Sequence, residues 1–229
     1  MGALPLSLLV FAYDEEANVA VAVGQILAWL RSRGGPYELV FVDDGSRDGT
    51  LGAARAAVAG DPGCKIVSHD RNRGIGAAIK TGVRAATLPW VSFLPCDGQI
   101  PPAELDLLCA AAERERVRLV FSTYRAREDG LHRKVLSAGI RALIWSLFGV
   151  HMRSDGPYLF ARELFDPALY ESDTFFLNFE FPIRMLRSHE RHGTVTIECV
   201  PRISGSSKST QLGRILGVAR DLVDLRLRI

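Results

Sequence analysis

Four times in the first half of the chain, a short β-branched and aromatic run gives way to a polar or glycine-bearing turn and then to residues at helical spacing. Strands at Leu6–Phe11, Glu38–Val42, Lys65–Ser68 and Trp90–Leu94 alternate with helices over about Glu15–Leu30, Thr50–Ala59, Ile75–Ala86 and Pro101–Arg114; Leu119–Ser122 reads as a fifth strand. Such alternation predicts an α/β fold: a Rossmann-like, mainly parallel central sheet flanked by helices, with right-handed crossovers. In sheets of this kind ligands bind outside the carboxyl ends of the strands. The residues that close each strand are therefore where chemistry is expected.

The second strand closes in VDDGSRDGT, residues 42–50, which places Asp43 and Asp44 side by side at its end. A turn at Gly45-Ser46 and a helix start at Asp48 account for the rest of the motif. They do not account for two adjacent carboxylates. Strand one ends in FAYDEE, strand three in HDRNRGIGAA and strand four in LPCDGQIPP, so polar and small groups converge along one sheet edge, as a nucleotide pocket requires. Gly74-x-Gly76 follows the third strand and has Ile79 where a dinucleotide fingerprint closes on glycine; no P-loop motif occurs. Dinucleotide oxidoreductases and P-loop kinases are thereby excluded. Asp97 and Gln99 are i, i+2 neighbours, so on an extended backbone their oxygens would point the same way. With a diphosphate and water they would satisfy Mg²⁺ or Mn²⁺, which take hard oxygen donors. The competing reading of this stretch is a surface Asp-Gly turn before a Pro-Pro helix start.

At 229 residues and 48% hydrophobic content, one domain is expected over 1–229, residues 1–124 forming the nucleotide half and 125–229 the acceptor side. A net charge of +2 gives no reason to expect nucleic acid. The four cysteines (Cys64, Cys96, Cys109, Cys199) are widely spaced, which suits reduced thiols in a cytoplasmic setting and argues against a zinc site. Cys96 lies beside the expected site, where a buried filler is the simpler role than a nucleophile. The apolar start runs into Asp14-Glu15-Glu16 and reads as a strand, not a signal peptide, and no stretch is apolar for long enough to predict a transmembrane helix. After residue 124 a basic loop leads to a helix or helix pair over about Arg133–Phe148, then a short strand at Leu159–Phe160, a helix near Phe179–Arg191, a strand near Val195–Val200 and an amphipathic helix at Leu212–Arg228. Arginines 125 to 153 flank an apolar segment, an arrangement suited to peripheral contact with an anionic membrane surface. A solvated charged face is the alternative. Glu180 has Arg184 one helical turn away as a simple partner.

The ordered motifs resemble glycosyltransferase family 2, most closely its dolichyl-phosphate mannose synthase-like members, which act on polyprenyl phosphates. Phe11-Ala12-Tyr13-Asp14-Glu15 matches the P-x-Y-N-E type start, residues 42–50 match V-D-D-x-S-x-D-G-T in full, and Asn72–Ala78 match N-x-G-x-G-x-A. Pro95–Gln99 match D-x-D-x-Q in part, Arg133–Ser137 match R-K-V-x-S, and Arg202–Lys208 match R-x-x-G-x-S-K. The resemblance implies the A-type glycosyltransferase (GT-A) fold and an inverting transfer from a nucleotide-sugar, GDP-mannose or a UDP-sugar, to a polyprenyl or dolichyl phosphate. It implies that Ala12, Tyr13, Glu15 and one or both of Asp43 and Asp44 hold the nucleoside, and that Asp97 and Gln99 carry Mg²⁺ or Mn²⁺. Arg202 and Lys208 would meet phosphate charge, and Arg133, with Arg125, would hold the acceptor phosphate. Asp155 is the candidate base if the acceptor is instead a hydroxyl, since a carboxylate can accept that proton; a turn residue in Ser-Asp-Gly-Pro is the competing reading. Pro95 stands where the family has its first Asp, Phe11 replaces a proline and Asp14 an Asn. Two alternatives stay open: a transferase of the same fold acting on a soluble small molecule, and a catalytically impaired sugar-nucleotide-binding protein.

Overall fold

Every residue of β1 (Leu6–Ala12) is buried, as a central strand covered on both faces requires. The computed structural model describes residues 3–125, 131–200 and 212–229, with backbone alone for 131–136 and 212–216. Around β1, the strands β2 (Tyr37–Asp43), β3 (Cys64–Ser68), β4 (Trp90–Pro95), β5 (Leu119–Tyr124), β6 (Leu159–Ala161) and β7 (His192–Ile197) form one sheet in the order β3-β2-β1-β4-β6-β5-β7. All neighbours are parallel except β6, which runs antiparallel to both β4 and β5. The helices are α1 (Glu16–Ser32), α2 (Thr50–Ala57), α3 (Ile75–Ala85), α4 (Leu105–Glu115), α5 (Leu131–Phe148), α6 (Leu177–Arg187) and α7 (Leu212–Arg228).

The period of two along β1 divides the core. Leu6, Leu8 and Val10 pack with Val19, Val23 and Leu30 of α1 and Leu108 of α4. Leu9 and Phe11 pack on the other side with Ile79 and Val83 of α3 and Leu177 and Phe181 of α6. Each such buried side chain contributes about 1.5–3 kcal/mol, so the two-faced sheet is the main source of stability. A separate cluster joins Ile144 of α5, Leu222 and Leu225 of α7, and Phe176 and Ile183.

At the amino ends of the strands a buried carboxylate crosslinks three elements. Glu38 accepts from Ser7 Oγ at 2.7 Å and from Thr87 N at 2.8 Å, and pairs with Lys65. Burial alone would raise its pKa, but Lys65, Ser7 and the Thr87 amide together hold it below the usual carboxylate value.

Where the sequence left a helix or helix pair, α5 is one continuous helix. Two elements start earlier than expected: α6 at Leu177 and β7 at His192. The helix stops early because His189 takes a left-handed φ of 57° and Glu190 N bonds back to Met185 O at 3.0 Å. The chain then has room to lie beside β5 from Leu119 onward.

Candidate active site

Strand register brings the expected site residues to one rim. Ala12 is level with Asp43, and Phe11 with Pro95. Residues 12–15, 43–49 and 96–99 therefore leave three adjacent strands at the same height. At about 4.8 Å per strand step, β2 and β4 stand about 10 Å apart, so one small ligand can touch both Asp43 and Asp97.

The two adjacent aspartates have different duties. Asp44 Oδ1 accepts from Arg73 N at 2.9 Å and from His69 Nδ1 at 2.7 Å, and its Oδ2 accepts from Gly74 N at 2.8 Å. The other ring nitrogen of His69 meets Thr81 Oγ1 at 2.9 Å. Asp44 thus ties the loop after β3 to the rim. Among the described residues the Asp43 carboxylate accepts from Ser46 N at 3.2 Å and Ser68 Oγ at 2.9 Å. A carboxylate offers about four lone-pair positions, so Asp43 keeps the larger acceptor capacity for a ligand. Gly45, between them and the turn, has φ 71°, and a Cβ there would lie 2.3 Å from Arg71 C. No side chain fits.

The loops after β1 and β2 brace each other. Asp14, at φ 52°, donates its N–H to Ser46 Oγ at 3.0 Å, and its carboxylate accepts from Arg47 N at 2.8 Å. Asp tolerates this left-handed backbone where most residues do not. Glu15 N donates to Thr50 Oγ1 at 2.8 Å and Gly49 N to Glu16 Oε2 at 3.0 Å. Asp48 bonds the first amide of α2, as the sequence suggested, and also reaches Glu16 N at 3.2 Å. Burial would raise its pKa, but the Thr50 hydroxyl and these amides hold it below the ordinary value. The result is a rigid lip beside Ala12 and Tyr13, from which Glu15 Oε2 accepts Asn18 Nδ2 at 2.5 Å.

Asp97 is buried, and its Oδ1 accepts from Gln99 N at 3.1 Å across Gly98, whose φ is 68°. The backbone here turns and is not extended, so the expected period-two alignment of the Asp97 and Gln99 side chains does not apply; the turn is closed by the Gln99 amide on the Asp97 carboxylate. Gln99 O accepts from Val200 N at 2.9 Å. Pro95 ends β4 opposite Phe11 and offers no side-chain oxygen. Burial, with Glu15 and Asp97 adding to it, pushes the Cys96 thiol up to about 12. Cys96 is a filler. Among the described residues no group of three or more His, Cys, Asp or Glu side chains is placed to hold a metal alone. The carboxylate and amide oxygens of Asp97 and Gln99 are nonetheless the hard donors that Mg²⁺ or Mn²⁺ takes when a diphosphate completes its shell. The pair fits such an ion.

The remaining expected residues are spread along the same rim or lie outside the description. Asp155 N donates to Ser122 O at 2.9 Å, which sets its exposed carboxylate near the carboxyl end of β5. Arg125 follows that strand and pairs with Glu198 at 3.0 Å, both side chains exposed. Arg133 is in the first turn of α5, with its side chain outside the described residues; Arg202 and Lys208 are outside them altogether. Glu180 is fully buried and pairs with Arg184 at 2.8 Å, the simple helical partner.

Sequence reasoning missed how the glycine-rich loop is used. A Cβ at Gly74 would lie 2.6 Å from Asp173 O, and one at Gly76 would lie 2.5 Å from Thr174 O. Ala77 N donates to Asp173 O at 3.0 Å, while the Asp173 carboxylate pairs with buried Lys80 at 2.6 Å and with Arg73 at 3.0 Å. The amino end of α3, a natural anion site, is occupied by the protein's own Asp173. The available signal was a lysine at position 80 on the apolar face of a predicted helix.

Residues 7–193 match the sequence profile described as Glycosyl transferase family 2. The chain belongs to glycosyl transferase family 2. Within that family it is 33% identical over 168 residues to an undecaprenyl-phosphate 4-deoxy-4-formamido-L-arabinose transferase of Aeromonas hydrophila, covering 72% of this chain and 51% of that protein. It is also 33% identical over 155 residues to a dodecaprenyl-phosphate galacturonate synthase of Rhizobium johnstonii, covering 67% and 46%. The chain thus spans about half the length of these family 2 relatives. Glucosyl-3-phosphoglycerate synthase of Mycobacterium tuberculosis, crystallised with Mn²⁺, uridine diphosphate and glucosyl-3-phosphoglycerate, superposes with a TM-score of 0.72 at 22% identity, over 100% of this chain and 81% of that one. The fold is the GT-A fold.

Proposed function

We propose that this family 2 chain transfers a sugar, with inversion, from a nucleoside-diphosphate sugar to a polyprenyl phosphate. The observation that carries the reading is the rim itself: Asp43, the braced Tyr13–Glu15 loop and Asp97 converge at the carboxyl ends of three adjacent strands. Relatives named for undecaprenyl and dodecaprenyl phosphates favour the lipid phosphate over a soluble acceptor.

The roles follow from chemistry. Asp43, held by Ser46 N and Ser68 Oγ, orients the nucleoside through its remaining lone pairs, with Tyr13 and Glu15 closing the lip. Asp97 and Gln99 hold a divalent cation, which when bound offsets charge on the diphosphate leaving group. Arg202 and Lys208 add cationic charge to the same leaving group, where developing negative charge is the main barrier. A phosphate acceptor is already ionised at neutral pH and needs no strong base. Its main requirement is alignment behind the anomeric carbon, which falls to Arg133 and Arg125. Asp155 becomes necessary only for a hydroxyl acceptor, whose proton it would take.

The test is a thermal-shift panel of uridine and guanosine diphosphate sugars with and without Mn²⁺, since ligands that bind the native state raise its stability. Turnover with detergent-dispersed polyprenyl phosphate and with soluble acceptors follows, and NMR of the early product. Inverted anomer on the lipid phosphate supports the proposal. Retention, or turnover on soluble acceptors alone, overturns it.

A further inference from the structure

Lysine is a costly choice for the buried side of a helix, and α3 carries one there. Lys80 is buried, as are Ile79 and Val83 beside it, which pack into the core. Taking an ammonium out of water is unfavourable unless charge and hydrogen-bond acceptors meet it. Its Nζ meets three: Tyr170 O at 3.0 Å, Glu171 O at 3.4 Å and Asp173 Oδ1 at 2.6 Å. An apolar side chain would fill the position without that cost, so packing alone does not account for the residue.

Followed outward, these contacts close a ring. Asp173 Oδ2 pairs with Arg73 Nη2 at 3.0 Å, and Arg73 N donates to Asp44 Oδ1 at 2.9 Å. Asp44 meets His69 Nδ1 at 2.7 Å, and His69 Nε2 meets Thr81 Oγ1 at 2.9 Å. Thr81 adjoins Lys80 on α3. The loop after β3 is thus held at both ends, at His69 and at Arg73-Gly74. The far anchor is fixed as well, because Phe176, three residues beyond Asp173, is buried with Leu222 and Leu225 of α7. Linked polar groups of this kind rigidify the backbone they span. The loop also adjoins the rim: Ser68, the residue before His69, donates its hydroxyl to Asp43 at 2.9 Å.

We propose that Lys80 is a positioning residue for the nucleotide-sugar donor. By pinning Asp173 against Arg73 it fixes the loop after β3 and, through Asp44 and Ser68, sets the place of the Asp43 carboxylate at the rim. The inference rests on the sugar-nucleotide reading of that rim and deepens it, since Lys80 lies too deep to meet the donor and acts through other residues. Its test needs no acceptor.

Lys80→Met keeps the length of the side chain and removes its charge. Two readouts are taken on the full chain: titration calorimetry with uridine and guanosine diphosphates in the presence of Mn²⁺, and amide hydrogen exchange followed by NMR. The expected result is a dissociation constant raised about tenfold. Exchange should quicken at the Arg73 and Gly74 amides, which Asp44 holds, and stay unchanged at the Thr87 amide, which Glu38 holds at the opposite end of the sheet. A lysine that served stability alone would speed exchange at all three amides together. Asp173→Asn keeps the backbone bond from Ala77 and gives up the ion pairs. It should move both readouts in the same direction by less, and it carries the test should Lys80→Met fail to fold. Unchanged nucleotide affinity in both variants, unchanged exchange at Arg73 and Gly74, or an equal rise at Thr87 would each overturn the proposal. A parent chain that binds neither nucleotide fails the rim reading instead, and the exchange result then still decides whether Lys80 holds the loop.

Discussion

The rim built on β2, β1 and β4 and the surface after residue 124 are assembled by opposite means. At the rim, carboxylates and amides are bonded to one another before any ligand arrives: Asp43 to Ser46 and Ser68, Asp44 to three groups of one loop, Asp14 and Glu16 to the turn after β2. Beyond residue 124, Arg125 and Asp155 stand exposed, and the helices keep apolar side chains on their surface. The difference teaches that the rim proposed to take the nucleotide is preorganised by internal hydrogen bonds, whereas the surface proposed to take the acceptor is held by exposed contacts such as Arg125–Glu198.

The largest expected effect falls on the rim. Asp97→Ala should lower turnover roughly a thousandfold and abolish the Mn²⁺-dependent part of the donor thermal shift. An unchanged metal response would remove Asp97 from the site. Next comes a pair of variants that separates the neighbouring aspartates. Asp44→Ala strands two backbone amides and His69 and should cost about 2–4 kcal/mol in urea unfolding. Asp43→Asn should change stability by about 1 kcal/mol or less while weakening nucleotide binding at least as much as Asp44→Ala does. Equal stability losses would erase the distinction drawn between them.

A smaller effect sharpens the contrast from the far end of the sheet. The carboxyl of Glu38 lies below its ordinary pKa in the folded protein. Its contribution is thus present above the unfolded value and fades as pH falls through the folded one. Melting temperature should drop across that acidic window, and Glu38→Gln should flatten the drop. The smallest effect belongs to the acceptor side: Arg125→Ala breaks an exposed ion pair and should alter stability by about 0.5 kcal/mol or less. Its signature should instead be a raised KM for the phosphate acceptor, with donor KM unmoved.

Much of this was legible in the residues. VDDGSRDGT announced the strand end, the turn and two carboxylates, because local chemistry dictates all three. It could not say that Asp44 faces inward to Arg73 and Gly74, since that depends on how the loop after β3 returns. Asp97 lies at the rim, at the end of β4, where its place in the sequence put it, but its alignment with Gln99 required an extended backbone where Gly98 makes a turn. The Asp173 plug was invisible for a plainer reason: its partner Arg73 lies one hundred positions away, and nothing local in either segment names the other. The boundaries of α6 and β7 slipped because His189 adopts a conformation that sequence rarely signals.

One short strand has a consequence for the chain's architecture. β6 has only three residues, yet it is the sole described link in the sheet between β4 and the β5–β7 pair. Residues from the second half of the chain therefore fill a gap inside the sheet that the first half begins. Cutting the polypeptide between β5 and α5 should leave an amino-terminal fragment whose fifth strand has no neighbour to hydrogen-bond, so nucleotide recognition and acceptor handling are expected to be inherited together or lost together.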